Sequence, residues 1–162
     1  MVVFDTSTLI LLAKIDVLRI VTETFSTALP KVVLSEATCK QTMDAEVISQ
    51  LVDEKKIQVL ENPSMDQIRY LMDRFPVATG ETAAFIIARE TNAVLATDDG
   101  IAIKMCKIFA VGFATAIHFL IEVSNRKCLE KETAAAKLEL LERYGRYAPE
   151  IIQNATERIR GR

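Results

Sequence analysis

Val2-Val3-Phe4-Asp5-Thr6-Ser7-Thr8 reads as a short apolar strand, an acid at its end, and hydroxyl residues able to start a helix. The helix then runs through Leu9, Ile10, Leu12 and Ala13. The same grammar recurs downstream. Val32-Val33-Leu34 is read as a second strand, followed at once by Ser35-Glu36. Ile57-Gln58-Val59-Leu60 is a third, closed by Asn62-Pro63. Ala93-Val94-Leu95-Ala96 is a fourth, ending in Thr97-Asp98-Asp99-Gly100. Helical periodicity fills the gaps: Val17 to Phe25, Ala45 to Lys55, a Ser64-capped stretch ended by Pro76, and an all-round apolar helix from Ala83 to Arg89 opened by Thr79-Gly80-Glu81-Thr82. A helix through Ile103 to Lys107 and an apolar run from Ile108 to Val111 come next. Helices near Thr115–Val123, Glu130–Arg143 and Pro149–Arg160 complete the chain.

Short apolar strands alternating with helices predict a mostly parallel sheet covered on both faces. In such sheets ligands bind beyond the carboxyl ends of the strands. The residues expected there are carboxylates. Asp5, Glu36 and the Asp98-Asp99 pair each follow a strand, and Glu81 joins them from the first turn of the apolar helix. Acids gathered in one place repel each other, and a divalent cation with oxygen ligands reverses that balance. Each acid alone has a structural explanation. Asp5 caps a helix, Glu36 and Glu81 suit first turns, and Asp98-Asp99-Gly100 is ordinary turn chemistry. The joint pattern is what points to chemistry.

Composition narrows the field further. The 162 residues suffice for one domain with a sizeable core; half are hydrophobic and 26% are charged. No uninterrupted apolar stretch has the length of a membrane span, and no basic segment precedes an apolar one at the start, so the sequence predicts a cytoplasmic protein without a membrane association. Cys39, Cys106 and Cys128 lie far apart without paired spacing, which fits reduced thiols. The net charge of −2 leaves any nucleic-acid binding to a local basic patch or to metal.

The motifs resemble those of the PIN-domain family. Val3-Phe4-Asp5-Thr6-Ser7 is similar to the opening strand and first acid, and Val32-Val33-Leu34-Ser35-Glu36-Ala37 to the second motif. Thr79-Gly80-Glu81-Thr82-Ala83-Ala84 resembles the third motif, and Val94-Leu95-Ala96-Thr97-Asp98-Asp99 the fourth, with Asp99 in the acid position. The resemblance spans about residues 2 to 125, and the helical tail of about 126–162 lies outside its motifs. It implies a single domain over 1–162, an α/β/α three-layer fold with a short, mostly parallel sheet and extra C-terminal helices.

The activity it implies is that of a ribonuclease dependent on Mg²⁺ or Mn²⁺, often, as in VapC-like proteins, the toxin of a toxin–antitoxin pair. Asp5, Glu81 and Asp99 would then be metal ligands, Asp98 an extra ligand or water-holder, and Glu36 the residue completing the catalytic pocket. Thr6, Ser7 and Thr97 would bond carboxylates or phosphate. RNA is the implied substrate, an antitoxin protein the implied partner, and a homodimer the implied assembly. A catalytically inactive PIN fold that binds RNA or protein is the alternative.

Other families fit poorly. Haloacid-dehalogenase phosphatases need a second Asp where Ser7 stands, and a receiver domain suits neither Asp5-Thr6-Ser7 nor the Glu81 motif. Dinucleotide binding needs a glycine-rich first turn, and P-loop chemistry needs a motif this chain lacks. His118, the sole histidine, is read as a packing or surface residue. Lys104 and Lys107, one turn beyond Asp99, could face a phosphate backbone but read first as a solvated helix face. Arg143, Arg146, Arg158, Arg160 and Arg162 could steer RNA toward the acidic pocket or simply solubilise the terminal helices. Tyr144 and Tyr147, interleaved with Arg143 and Arg146, suit base stacking but read first as helix-end packing.

Overall fold

The computed structural model describes residues 1–161. Its sheet has five parallel strands: β1 (Val2–Phe4), β2 (Thr27–Pro30), β3 (Ile57–Leu60), β4 (Val94–Ala96) and β5 (Phe113–Ala114), in the order β3-β2-β1-β4-β5. Between β1 and β2 lie α1 (Thr6–Lys14) and α2 (Leu18–Thr24), and between β2 and β3 lie α3 (Lys31–Thr38) and α4 (Met43–Asp53). Helices α5 (Met65–Met72) and α6 (Thr79–Glu90) lead to β4, and α7 (Gly100–Phe109) leads to β5. Three further helices follow: α8 (Ala116–Asn125), α9 (Lys131–Tyr144) and α10 (Pro149–Arg160).

Successive strand residues point to opposite faces. All three residues of β1 and all four of β2 are buried, so helices cover the sheet on both sides and the molecule has three layers. Eight of the twelve residues of α6 are buried, and the helix packs against β1 and β2. One hydrophobic cluster runs from Val2 to Ile159 and includes Ala134, Leu138, Leu141 and Ala155 of α9 and α10.

The second strand differs from the sequence reading. Val32-Val33-Leu34 is helical, and β2 lies earlier, over Thr27–Pro30. Pro30 is the last strand residue and the N-cap of α3 (φ −74°, ψ 153°). Its missing N–H costs little, because the pairing of β2 with β1 stops at Ala28, two residues earlier. Beyond it, Val33 and Ala37 stand four residues apart and bury one helical face, so packing against α6 overrides the strand preference of the two valines. One consequence bears on the site: Glu36 is the sixth residue of α3 and not part of its first turn, so the helix-start explanation for that acid falls away.

The strand order reverses between β1 and β4, the central pair that carries Asp5 on one side and Thr97-Asp98-Asp99 on the other. Ligand crevices of open parallel sheets form at such a reversal.

Candidate metal centre

Asp5 ends β1 and caps α1. Its backbone N–H donates to the Ala96 carbonyl at 3.0 Å, which stitches the ends of β1 and β4 together. Its side chain is fully buried. Oδ1 accepts from the Thr8 N–H at 3.1 Å and the Ser7 hydroxyl at 2.8 Å, whereas Oδ2 is buried with no hydrogen-bond partner. Burial raises the Asp5 pKa from 3.8 to about 7, and the charge of Glu81 adds to the shift. The Thr97 hydroxyl, near the carboxylate but without the geometry of a hydrogen bond to it, the Thr8 N–H and the Ser7 hydroxyl oppose it.

Glu81 comes from the first turn of α6. Its Oε2 is also buried and unpartnered. Burial is the first cause of its raised pKa; its own backbone N–H opposes, and the charges of Glu36 and Asp99 add to the rise. Glu81 is therefore the hub, close enough to Asp5, Glu36 and Asp99 to interact with each. Glu36 reaches in from α3 and accepts a 2.7 Å hydrogen bond from the Thr6 hydroxyl. A side chain at position 80 would collide with that carboxylate, so Gly80 is what lets α6 approach α3 here. Asp99 caps α7 through Oδ1, which accepts from the Ala102 N–H at 2.8 Å, and its own N–H donates to the Thr97 hydroxyl at 3.1 Å.

Asp98 has a different job from the one expected of it. Oδ1 accepts from the Tyr147 hydroxyl at 2.6 Å; Oδ2 accepts from the Thr8 hydroxyl at 2.6 Å and the Ala116 N–H at 2.9 Å. Both oxygens are thus taken by protein donors, and the Asp98 N–H donates to the Ser7 hydroxyl at 3.1 Å. Asp98 ties α1, α8 and the connection between α9 and α10 to the turn that presents Asp99. Thr8 and Tyr147 are site-shaping residues that the sequence reading missed. Thr8 adjoins the first motif and could have been included with it. Tyr147 lies 49 residues from Asp98, and no spacing rule links them.

Among the described residues, no three His, Cys, Asp or Glu side chains are drawn into one tight metal shell. The donor set nevertheless suits a hard cation. It is all oxygen, two of its buried oxygens have no partner, and the two acids that carry them are held toward the neutral form by burial and mutual repulsion.

Other candidates lie elsewhere. His118 caps α8, its Nδ1 accepting from the Thr115 N–H at 3.2 Å, and burial and Arg158 lower its pKa against the opposing charge of Asp98. Tyr144 lies under the Lys14 ammonium, 5.5 Å from its ring centre. The three cysteines are unpaired, and burial raises the Cys106 thiol to about 11. Arg162 lies outside the described residues. A cavity of about 800 Å³ between α5, α6 and the end of α7 is lined by residues such as Tyr70, Arg74, Phe85 and Arg89 and by none of the four site acids. Among the described residues, no helix is long and apolar enough to cross a membrane.

An open parallel sheet with carboxylates at its strand reversal defines the class: an α/β domain built around an acidic centre. A family model described as a PIN domain matches residues 1–160, so the chain belongs to that family, and the match runs through the C-terminal helices. PIN domains are generally nucleases that use divalent metal ions. The fold is similar to the crystal structure of PAE2754 from Pyrobaculum aerophilum, with a TM-score of 0.57 and 16% identity over 76% of this chain and 89% of that one. No curated protein matches the chain.

Proposed function

We propose that this protein is an endoribonuclease that hydrolyses RNA phosphodiester bonds with Mg²⁺ or Mn²⁺. The observation that carries the reading is the pair of buried, unpartnered oxygens, Asp5 Oδ2 and Glu81 Oε2, within one mutually repelling group of acids. Leaving such atoms unpaired costs on the order of 1–3 kcal/mol each. A bound cation would offset that cost and the mutual repulsion of the acids.

Asp5, Glu81 and Asp99 would hold the ion, with Glu36 completing the pocket. The cation supplies Lewis acidity toward a phosphodiester. The chain supplies the rest. Ser7 and the Thr8 N–H fix one oxygen of Asp5 and leave the other free. Thr6 fixes the rotamer of Glu36, and the Ala102 N–H holds Asp99 by one oxygen. Asp5, with a pKa raised to about 7, would give up its proton to hold a cation, which would couple loading to proton release. Asp98 stays outside the ligand set and holds the turn in place. RNA as substrate, an antitoxin protein as cellular partner and a homodimer as assembly follow the family's toxin members and belong to the same proposal.

The test is cleavage of a mixed single-stranded RNA by wild type, Asp5→Asn and Glu81→Gln, in Mg²⁺, Mn²⁺ or chelator. Wild type should cut only with metal, and each variant should lose about 100-fold or more, as disturbed metal sites do. Intact RNA under all conditions, with the wild type still binding RNA, would make the non-catalytic PIN module the right reading.

A further inference from the structure

Lys107, His118, Tyr147 and Arg158 are scattered along the chain, and each alone reads as surface charge, capping or packing. The fold brings all four to one cavity of about 250 Å³ enclosed by α7, β5, α8 and α10. Phe113 and isoleucines from α7, α8 and α10 make its apolar surface, and Asn154 adds an amide. Among the described residues no carboxylate lines it, in a protein whose net charge is −2. Among the described residues neither Lys107 nor Arg158 makes an ion pair, so both positive charges remain available.

The groups present select a ligand class. The volume lies just below the roughly 300 Å³ at which pockets begin to take drug-sized ligands, which suits a single flat heterocycle. The rings of Phe113 and Tyr147 offer stacking surface, and bases stack on aromatic side chains whatever their identity. The Asn154 amide has both donor and acceptor atoms for a base edge. Because the His118 Nδ1 accepts from the Thr115 N–H, the ring proton of neutral His118 sits on Nε2, which makes that nitrogen a donor. Lys107 and Arg158 add cationic donors able to hold a phosphate by charge-assisted hydrogen bonds.

The cavity is also wired to the acidic centre. Tyr147 lines it by its ring while its hydroxyl donates to Asp98 at 2.6 Å, and Asp98 is the chain neighbour of Asp99. A strand seated here would lie beside the turn that presents the fourth acid.

We propose that this cavity is a nucleotide subsite: it takes one base of the RNA strand against Phe113 and Tyr147, with Lys107 and Arg158 holding the phosphate. The assignment rests on the ribonuclease reading and names where its substrate is gripped. It explains how an acidic protein holds a polyanion, by a local acid-free pocket in place of a general positive field.

The experiment reads binding without chemistry. In chelator, each of the four ribonucleoside 5′-monophosphates and inorganic phosphate is titrated by calorimetry into wild type, Lys107→Ala, Arg158→Ala and Asp5→Asn. Lys107 and Arg158 are exposed, so their replacement leaves the core intact. At least one nucleotide should bind roughly tenfold tighter than phosphate, the worth of one stacked base. Lys107→Ala and Arg158→Ala should each weaken it by about tenfold, the worth of one charge-assisted contact. Asp5→Asn should bind as wild type does. In cleavage assays Arg158→Ala should raise KM and keep kcat. No nucleotide binding at millimolar concentration, binding no better than phosphate, or unchanged binding by both alanine variants would overturn the subsite. Nucleotide binding without RNA cleavage in any metal would keep the subsite and remove the nuclease reading. Cleavage without nucleotide binding would do the reverse.

Discussion

At Asp5 the fold places a carboxyl where burial disfavours its charge and Glu81 repels it, lifting its pKa from 3.8 to about 7. Between those values the folded chain holds a proton that the unfolded chain has released. Stability therefore falls as pH rises through this window, by up to about 1.4 kcal/mol per unit. The urea midpoint measured in chelator should drop between about pH 4 and about pH 7. Asp5→Asn should be more stable than wild type at the alkaline end, having no charge to bury. Mn²⁺ should shrink or invert the slope, because the cation competes with the proton for the same oxygens. A flat wild-type profile in chelator would show that Asp5 is not held neutral. Gly80 gives a second residue-scale prediction. In Gly80→Ala the new methyl displaces the carboxylate of Glu36, a flexible side-chain end, so metal affinity should fall with little loss of stability. Calorimetry beside a melting curve separates the two effects.

Among the elements, β1, β3 and β4 and most helices are legible in the sequence, because local signals and packing agree there. Asp5 and Ser64 cap helices as read, and Pro149 opens α10. The Val32-Val33-Leu34 stretch shows where legibility ends. Its β-branched pair speaks for a strand, and only the burial of Val33 and Ala37 against α6, a tertiary fact, makes it a helix. Asp5 and the Asp98-Asp99 pair were legible as acids following strands, whereas Glu36 lies inside α3 and follows none. The role of Asp98 was not, because it depends on Tyr147, Thr8 and the Ala116 N–H arriving from three other elements. Tyr147→Phe keeps the ring and removes one donor to a carboxylate. It should cost about 1.5–3 kcal/mol in urea unfolding, as hydrogen bonds to charged groups do. It should also lower kcat by loosening the Asp99 turn, and unchanged stability and kcat would deny Asp98 its structural role.

Taken whole, the molecule does not divide cleanly at the end of the acidic motifs. The tail from about residue 126 lies outside those motifs, yet α9 and α10 bury Ala134, Leu138, Leu141, Ala155 and Ile159 in the common cluster, and Tyr147 reaches back to Asp98. A chain ending at residue 126 should expose the face of α8 that these helices cover and lose cooperative melting by circular dichroism. A sharp transition at the wild-type temperature would show the tail to be an appendage. The central claim is that the buried oxygens of Asp5 and Glu81 serve a divalent cation, and calorimetric titration of Mn²⁺ into wild type and Asp5→Asn tests it most directly. Saturable binding to wild type that releases protons near neutral pH and is lost in Asp5→Asn is the predicted result. No binding to wild type at millimolar Mn²⁺, or equal binding by the variant, would contradict it and leave these acids as caps and struts of the fold.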